Sequence, residues 1–294
     1  MRHFEGTFQG AGRLNLYYQS WHPSTSPKAA IAIVHGLGSH SGRFTKVVES
    51  LLPYGYAIYG FDLRGHGRSP GQRGFVKHWS EFREDFGNFW ELVRSQNPDI
   101  DCFALCHSLG SIIVLDYALH YPNSVPHIIT MASPLQPVGV PQLRMFIGRF
   151  LSWMYPRFSL NTGMPQNREN YDPAIAAQLI NDSLSHTKGT ARLVTEFLKT
   201  TRWINAHLEN LQSSILALHG SNDAIALPES SLTLFDAIPI FDKEYREYPN
   251  SYHDLHNDKD AQKVLNDIFD WLERHLNGET SLCKLDPTNF EQYA

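Results

Sequence analysis

The sequence predicts an α/β protein in which a mostly parallel central sheet is flanked by helices on both faces and carries an inserted helical cap. Three observations lead to this prediction. Short apolar runs alternate with helical segments over most of the chain, as in a parallel sheet that is buried on both sides. The loops that follow these runs are rich in Gly, His, Ser and Asp. Between residues 133 and 206 the alternation fails.

The predicted elements follow in order along the chain. Residues 4–21 alternate around two glycines, which predicts an antiparallel hairpin at a sheet edge. Strands are predicted at 29–34, 56–61, 102–106, 128–132, 214–219 and 243–248. Helical periodicity predicts helices at 44–52, 79–95, 109–121 and 258–276.

These elements divide the chain into three parts. Residues 1–132 and 207–276 are expected to form the core, since they carry the alternating strands and helices. Residues 133–206 are interpreted as a wholly helical cap insertion, and residues 277–294 as a polar, peripheral tail. A length of 294 residues suits one large α/β domain with such an insertion.

Composition narrows the functional classes. A formal net charge of −5 gives no basic surface for nucleic acid. Three cysteines cannot form a disulfide framework, which favours a reducing compartment. The first residues lack an apolar signal region, and no run of 18 apolar residues occurs, so a cytoplasmic protein is expected.

Ser108 is the candidate nucleophile. It lies between a predicted strand and a predicted helix, on a sharp turn where the first amides of the helix point back at its hydroxyl. The usual pattern at such a turn is Gly-x-Ser-x-Gly, and here Cys106 stands at the first glycine. A harmless substitution is one interpretation of Cys106; lower activity or sensitivity to thiol reagents is the other.

A serine nucleophile needs a base and an acid that orients the base. Asp223 and His253 follow the two strands at 214–219 and 243–248, in the chain order Ser, Asp, His. His256, in the same loop as His253, is the alternative base. The backbone N–H groups of Leu37 and Leu109 are the predicted donors to the oxyanion.

Five stretches together carry a resemblance to a known family. They are His-Gly-Leu-Gly-Ser-His-Ser-Gly-Arg-Phe at 35–44, Phe-Asp-Leu-Arg-Gly-His-Gly-Arg-Ser-Pro-Gly at 61–71, His-Ser-Leu-Gly at 107–110, His-Gly-Ser-Asn-Asp at 219–223, and Ser-Tyr-His-Asp-Leu-His at 251–256. The chain resembles the monoacylglycerol lipase and lysophospholipase branch of the α/β-hydrolase fold, the hydrolases of the serine aminopeptidase S33 type.

The resemblance implies a serine mechanism without metal or organic cofactor, acting on a single-chain lipid ester and water. The alternatives are a small-molecule carboxylesterase or carbon–carbon bond hydrolase with the same three residues, and a noncatalytic ligand-binding relative. The resemblance leaves acyl length, head group and oligomeric state open.

A broad apolar helical face is predicted in the cap between residues 140 and 154, where Phe146, Ile147 and Phe150 are the candidate substrate contacts. Arg144 and Arg149 fall outside this face. Three roles stay open for it: lining an acyl tunnel, transient contact with a membrane surface, and packing on the core.

Overall fold

A nine-stranded sheet forms the centre of the molecule within the residues that this computed structural model describes, 1–136, 142–161, 182–278 and 284–285. The strands are β1 Arg2–Gln9, β2 Asn15–His22, β3 Ala29–Val34, β4 Tyr56–Phe61, β5 Asp101–His107, β6 His127–Met131, β9 Ser214–Gly220, β10 Lys243–Tyr248 and β11 Lys284–Leu285. Their spatial order is β1-β2-β4-β3-β5-β6-β9-β10-β11. From β4 to β11 neighbouring strands are parallel; β1 and β2 form the antiparallel hairpin at one edge.

Helices cover both faces of this sheet. They are α1 Thr45–Leu51, α2 Trp79–Gln96, α3 Leu109–His120, α4 Gln142–Met154, α5 Ala191–Asn205, α6 Glu229–Ala237 and α7 Ala261–Leu276. Apolar side chains of α2, α3 and α6 join one buried cluster, and those of α1 and α7 join a second cluster on the opposite face. The predicted fold class is thereby confirmed.

Strand β3 shows why the central strands read as unbroken apolar runs. Ala30, Ala32 and Val34 belong to one cluster, whereas Ala29, Ile31 and Ile33 belong to the other. All six side chains are buried because a helix layer lies against each face. The sequence therefore carries no polar alternation in this strand.

The segment predicted as a wholly helical cap also contains strands, and on this point the prediction is wrong. β7, Ser159–Asn161, pairs antiparallel with β8, Lys188–Thr190, in a separate two-stranded sheet. Strands of three residues are too short to show alternation in the sequence. Helix α5 packs inward, with Leu193 and Ile204 in the buried cluster that includes α2 and α3. The division into core and insertion stays a prediction.

The carboxyl end of α4 presents apolar side chains to solvent. Phe150, Trp153 and Met154 are 52%, 72% and 44% exposed, whereas Ser152 is buried. Of the three roles left open for this face, packing on the core does not apply to these residues. The side chains of Phe146 and Ile147 lie outside the described part of the chain.

The tail adds a short edge strand to the sheet. Lys284 and Leu285 pair in parallel with Glu244 and Tyr245 of β10. The rest of the predicted tail beyond Gly278 lies outside the described residues. Within the described residues, no helix combines the length and the apolar character that a membrane span needs.

Candidate active site

Ser108 lies on a strained turn between β5 and α3. Its φ of 52° and ψ of −119° belong to a region that side-chain-bearing residues seldom adopt. A hydrogen bond to the neighbouring strand β6 stabilises this conformation: the N–H of Ser108 donates to the Met131 carbonyl oxygen at 2.9 Å. The hydroxyl is therefore presented beyond the carboxyl end of β5, where a parallel sheet places its ligands.

The close contact between this turn and the sheet occurs at Gly110 and leaves room for Cys106. A Cβ at position 110 would lie 2.2 Å from the carbonyl oxygen of Val34. Cys106 instead packs in the buried cluster that includes α2 and α3, and its Sγ lies 3.2 Å from the Ile129 carbonyl oxygen. Burial raises the pKa of the Cys106 thiol to about 12, so this side chain is a protonated, inaccessible core residue.

His253 and Asp223 reach Ser108 from the loops after adjacent strands. Asp223 follows β9 and His253 follows β10, and these strands pair in parallel with Gly220 opposite Tyr248. His253 Nε2 lies 2.9 Å from Ser108 Oγ, and His253 Nδ1 lies 2.6 Å from Asp223 Oδ2. The structure thus brings together all three side chains of the predicted triad.

The carboxylate of Asp223 is buried and fully hydrogen-bonded. Oδ1 accepts the backbone N–H groups of Ile225 and Ala226 at 2.8 and 3.1 Å. Oδ2 faces His253 Nδ1 and, 3.2 Å away, Nε2 of His219. Burial alone would raise the pKa of Asp223, but contacts with the two imidazoles outweigh it and hold the pKa well below its ordinary value. Asp223 is therefore an anion.

The loops that carry the acid and the base are bonded to each other through their backbones. The N–H of Asn222 donates to the Ser251 carbonyl oxygen at 2.9 Å. A Cβ at Gly220 would lie 2.4 Å from the same oxygen and 2.5 Å from that of Tyr252. Only glycine allows this approach, and it fixes the spacing between Asp223 and His253.

The two predicted oxyanion donors have no acceptor among the residues that the structure describes. The N–H of Leu109 opens helix α3 directly after Ser108, and the N–H of Leu37 lies in the loop after β3. Gly36 brings that loop against the nucleophile, because a Cβ there would lie 3.0 Å from Ser108 Cβ. Free N–H groups beside a serine hydroxyl are what a tetrahedral oxyanion requires.

His35 fixes the peptide group that carries the Leu37 N–H. Its Nδ1 donates to the Gly36 carbonyl oxygen at 2.8 Å, and its Nε2 accepts the N–H of Leu63 at 3.0 Å. In a trans peptide the C=O and N–H point in opposite directions, so holding the Gly36 carbonyl sets the direction of the Leu37 N–H. Burial lowers the pKa of His35 to about 3, which keeps the ring neutral for this arrangement.

Two further histidines lie near the triad: His107 supports the loop of the base, and His256 is excluded as the base. His107 Nε2 donates to the His253 carbonyl oxygen at 2.9 Å and so supports the loop of the base. His256 stacks on Phe44, with ring centroids 4.3 Å apart, and its buried ring nitrogens have no hydrogen-bond partner among the described residues. His253 is thus the histidine at Ser108. With 15 histidines in the chain, the sequence does not indicate the particular contacts that His35 and His107 make.

Three arginines in the neighbouring loops are paired with carboxylates. Arg43 Nη2 lies 3.0 Å from Asp254 Oδ2, and Arg64 Nε lies 2.6 Å from the buried Asp85 Oδ2. Arg68 pairs with Glu5 at the edge hairpin. These three arginines therefore hold the loops in place.

The segment predicted as a cap is hydrogen-bonded to the loop that carries Leu37. The N–H of His186 donates to the Gly38 carbonyl oxygen at 2.9 Å, and His40 Nε2 lies 2.7 Å from Asp182 Oδ2. A Cβ at Gly38 would lie 2.0 Å from the His186 carbonyl oxygen, so the two segments are in direct backbone contact. In the part of the chain that the structure describes, no group of three or more His, Cys, Asp or Glu side chains is arranged to hold a metal ion.

A model of the serine aminopeptidase S33 family matches residues 25–260, which include every loop described above. The chain belongs to this family. The S33 family is the one that the five sequence stretches indicate, so that prediction is confirmed.

Curated relatives of this S33 hydrolase match along nearly their full length. A monoacylglycerol lipase of Mycolicibacterium smegmatis is 27% identical over 274 residues, covering 92% of this chain and 98% of the relative. A monoglyceride lipase of Rattus norvegicus is 26% identical over 277 residues, covering 91% and 90%.

Solved structures of similar proteins share the fold. The monoacylglycerol lipase of Paleococcus ferrophilus superposes with a TM-score of 0.79 at 27% identity, covering 88% of this chain and 99% of its own. A soluble variant of the monoglyceride lipase from Saccharomyces cerevisiae, in complex with a substrate analogue, gives a TM-score of 0.81 at 24% identity, covering 94% and 95%. At this identity the second likeness concerns the fold alone.

Proposed function

We propose that this S33-family protein hydrolyses carboxylic esters of single-chain lipids, with monoacylglycerols as the substrate class, through an acyl-enzyme on Ser108. Its class as a carboxylic ester hydrolase follows from the family and from the relatives of nearly equal length. The observation that carries the mechanism is the hydrogen-bonded chain from Asp223 through His253 to Ser108.

Each group has a role that its geometry supports. Ser108 Oγ attacks the ester carbonyl while His253 Nε2 takes the hydroxyl proton, and the new oxyanion accepts the N–H groups of Leu37 and Leu109. His253 then gives the proton to the leaving glycerol oxygen. Water attacks the acyl-enzyme with His253 again as base, and the fatty acid leaves. Asp223, an anion throughout, orients His253 and stabilises its imidazolium form.

An uncharged head group is favoured over a phosphate-bearing one. Arg43, Arg64 and Arg68, three arginines of the loops around the site, are paired with carboxylates. Recruiting any of them to a lysophospholipid phosphate would leave its carboxylate unpaired, and for the buried Asp85 this is costly. Together with the relatives named as monoacylglycerol lipases, this supports glycerol as the head group.

Turnover on a panel of esters tests the proposal. Monoacylglycerols, lysophospholipids and p-nitrophenyl esters of graded acyl length are compared, with Ser108→Ala as the control. We expect the highest kcat/KM on a monoacylglycerol and a loss of at least about 1,000-fold in Ser108→Ala. Activity that survives in Ser108→Ala overturns the mechanism. A preference for short p-nitrophenyl esters, or absence of a fluorophosphonate adduct on Ser108, points to the esterase or the noncatalytic alternative.

The acyl contact predicted for the cap is part of the proposal. Phe150 lies on α4 beside Trp153, with ring centroids 6.3 Å apart. Truncating Phe146 or Phe150 to alanine should lower kcat/KM more for long acyl esters than for acetate or butyrate, because only a long chain reaches an apolar cap. Equal losses on long and short esters contradict the contact.

We further propose that the exposed segment 150–160 touches lipid surfaces transiently. Six large apolar side chains of this stretch are 44% to 72% exposed: Phe150, Trp153, Met154, Tyr155, Phe158 and Leu160. Arg149 and Arg157 lie beside them and are also exposed. Aromatic side chains with flanking arginines suit the boundary of a bilayer. Trp153→Ser should reduce co-sedimentation with anionic vesicles while leaving kcat on a dissolved p-nitrophenyl ester unchanged. Undiminished vesicle binding contradicts this contact.

A reducing, cytoplasmic location stays a proposal. Cys102 and Cys106 are free, buried thiols, as expected of a protein that makes no disulfides there. Fractionation of cells that express the tagged protein is the measurement that decides it.

A further inference from the structure

His219, a buried histidine of β9, contacts the triad acid, as does the base His253. Its Nε2 lies 3.2 Å from Asp223 Oδ2, the oxygen that also faces His253 Nδ1. The ring of His219 is entirely buried. The proposed mechanism gives this residue no role, although it is one of only two imidazoles that contact the carboxylate in the described structure.

The hydrogen bonds of His219 determine where its proton is. Nε2 lies 2.8 Å from the carbonyl oxygen of Ala226 and also faces the Asp223 carboxylate. Both oxygens are acceptors only, so Nε2 must carry the hydrogen. In the neutral ring Nδ1 is then an acceptor, and the Ser231 hydroxyl, 2.6 Å away, donates to it. One tautomer satisfies every partner.

This tautomer joins three segments around the acid. His219 belongs to β9, Ala226 to the loop that carries Asp223, and Ser231 to the first turn of α6. The Ala226 N–H also donates to Asp223 Oδ1, so the loop residue that receives the imidazole proton is the one that holds the other carboxylate oxygen. Rotation of the carboxylate away from His253 would break contacts on both of its oxygens.

We propose that His219 is a positioning residue for the triad: it holds the Asp223 carboxylate in the orientation that presents Oδ2 to His253. The inference rests on the proposed function, since it concerns the same three residues. It adds two residues behind the acid: His219 contacts the Asp223 carboxylate, and Ser231 bonds the far nitrogen of His219. In metal sites, removing a partner that orients a ligand costs about 10- to 100-fold in activity, and we expect an effect of the same order for the partner of this carboxylate.

Two substitutions separate positioning from mere packing. His219→Leu fills the site without a donor, whereas the carboxamide of His219→Gln places an N–H near the position of Nε2. We expect kcat on a monoacylglycerol to fall about 10- to 100-fold in His219→Leu with KM within about twofold, and to return to within about fivefold of wild type in His219→Gln. The loss is smaller than the ~10⁴-fold effect known for disabling a triad acid, because Asp223 is still present.

A spectroscopic signature follows the triad independently of turnover. The short bond between His253 Nδ1 and Asp223 should give a far-downfield proton resonance in Ser108→Ala protein. Adding His219→Leu should shift or broaden this resonance, and His219→Gln should restore it. His127→Leu is the matched control, since it also removes an imidazole, a half-buried one packed against Phe103 at the opposite end of the sheet. It should leave the resonance in place.

The outcomes are distinct. A folded His219→Leu variant with wild-type kcat and an unmoved resonance overturns the inference, and so does a His219→Gln variant as impaired as His219→Leu. If His219→Leu fails to fold, Ser231→Ala removes only the Nδ1 partner. It should lower kcat several-fold at unchanged KM, and wild-type kcat there also overturns the inference. Wild-type protein that cleaves no ester refutes the proposed function, whereas the resonance still tests His219.

Discussion

At the scale of single residues, the turn around Ser108 accommodates a side chain at position 106 but not at position 110. Gly110 faces the backbone of β3, where a Cβ would approach a carbonyl oxygen to 2.2 Å, and a backbone oxygen cannot rotate away as a side chain does. Cys106 belongs to the buried cluster on the face of the sheet that α2 and α3 cover. The missing first glycine therefore leaves the turn intact.

This difference predicts opposite results for two substitutions. Gly110→Ala should displace the start of α3, and with it the Leu109 N–H, so that kcat falls more than about tenfold and stability falls by about 1–3 kcal/mol. Cys106→Gly should lower stability by about 1–2 kcal/mol through lost packing and added chain entropy, with kcat within about threefold of wild type. Urea unfolding and turnover on one ester measure both. A large loss of kcat in Cys106→Gly would refute this account.

Burial of Cys106 also affects its reactivity toward thiol reagents. The Cys106 side chain has no exposed surface, and its thiol remains protonated at neutral pH because burial raises its pKa to about 12. Bulky alkylation would impair Ser108 but requires the strand to open first. Inactivation by a maleimide should accordingly be slow in folded protein and accelerate in dilute urea. Rapid inactivation without urea would show that the thiol is accessible.

At the scale of elements, strands β9 and β10 set the distance between acid and base. Their parallel register places Gly220 beside Tyr248, and the backbone at Ser251 and Tyr252 then crosses directly over Gly220. The spacing from Asp223 to His253 is therefore fixed by strand pairing and by one missing Cβ.

Gly220→Ala should push the loop of the base outward. We expect kcat to fall about 10- to 100-fold with little change in KM, because His253 moves relative to Asp223 and Ser108 while the acyl site stays. Gly148→Ala in α4 is a matched control, since a Cβ there meets no atom within 4 Å. Equal kcat values for the two variants would contradict this spacing argument.

The same elements explain how far the sequence could predict the molecule. Fully apolar runs such as 29–34 identify strands covered on both faces, and Ser, Asp and His after successive strands identify a site, because parallel strands end at one edge. The three-residue strands β7 and β8 have too few residues for a period. His35, His107 and His219 act through single backbone or carboxylate contacts, which depend on loop conformation rather than on spacing.

At the scale of the whole molecule, buried histidines limit stability in acid. Burial lowers the pKa of His35 and His107 to about 3 and that of His256 to about 4. Histidines of the unfolded chain titrate near pH 6.5, about the ordinary value. Below that pH the unfolded chain binds more protons than the folded one, so the free energy of unfolding falls as the pH drops toward each folded pKa. Each such group contributes up to about 1.4 kcal/mol per pH unit.

Replacing one of these groups tests the effect. His256→Phe keeps the ring that stacks on Phe44 but cannot take a proton. Between pH 6.5 and about 4 the free energy of unfolding of this variant should decline less steeply than that of wild type. The two slopes should differ by up to about 1.4 kcal/mol per pH unit, the value for one proton. Turnover at pH 8 should stay within about threefold of wild type. Urea titrations at several pH values measure the slopes. Parallel curves for the two proteins would refute the assignment of His256.

The hydrogen bonds of the site join residues that are far apart in the sequence and that meet late in folding. The contact between His253 and Ser108 spans 145 residues, and β5, β6, β9 and β10 must be aligned before it can form. Contacts of this range form late, after local helices. During refolding, reactivity of Ser108 toward a fluorophosphonate should consequently lag behind the recovery of helical circular dichroism. The time at which Ser108 becomes reactive then reports when the sheet is complete.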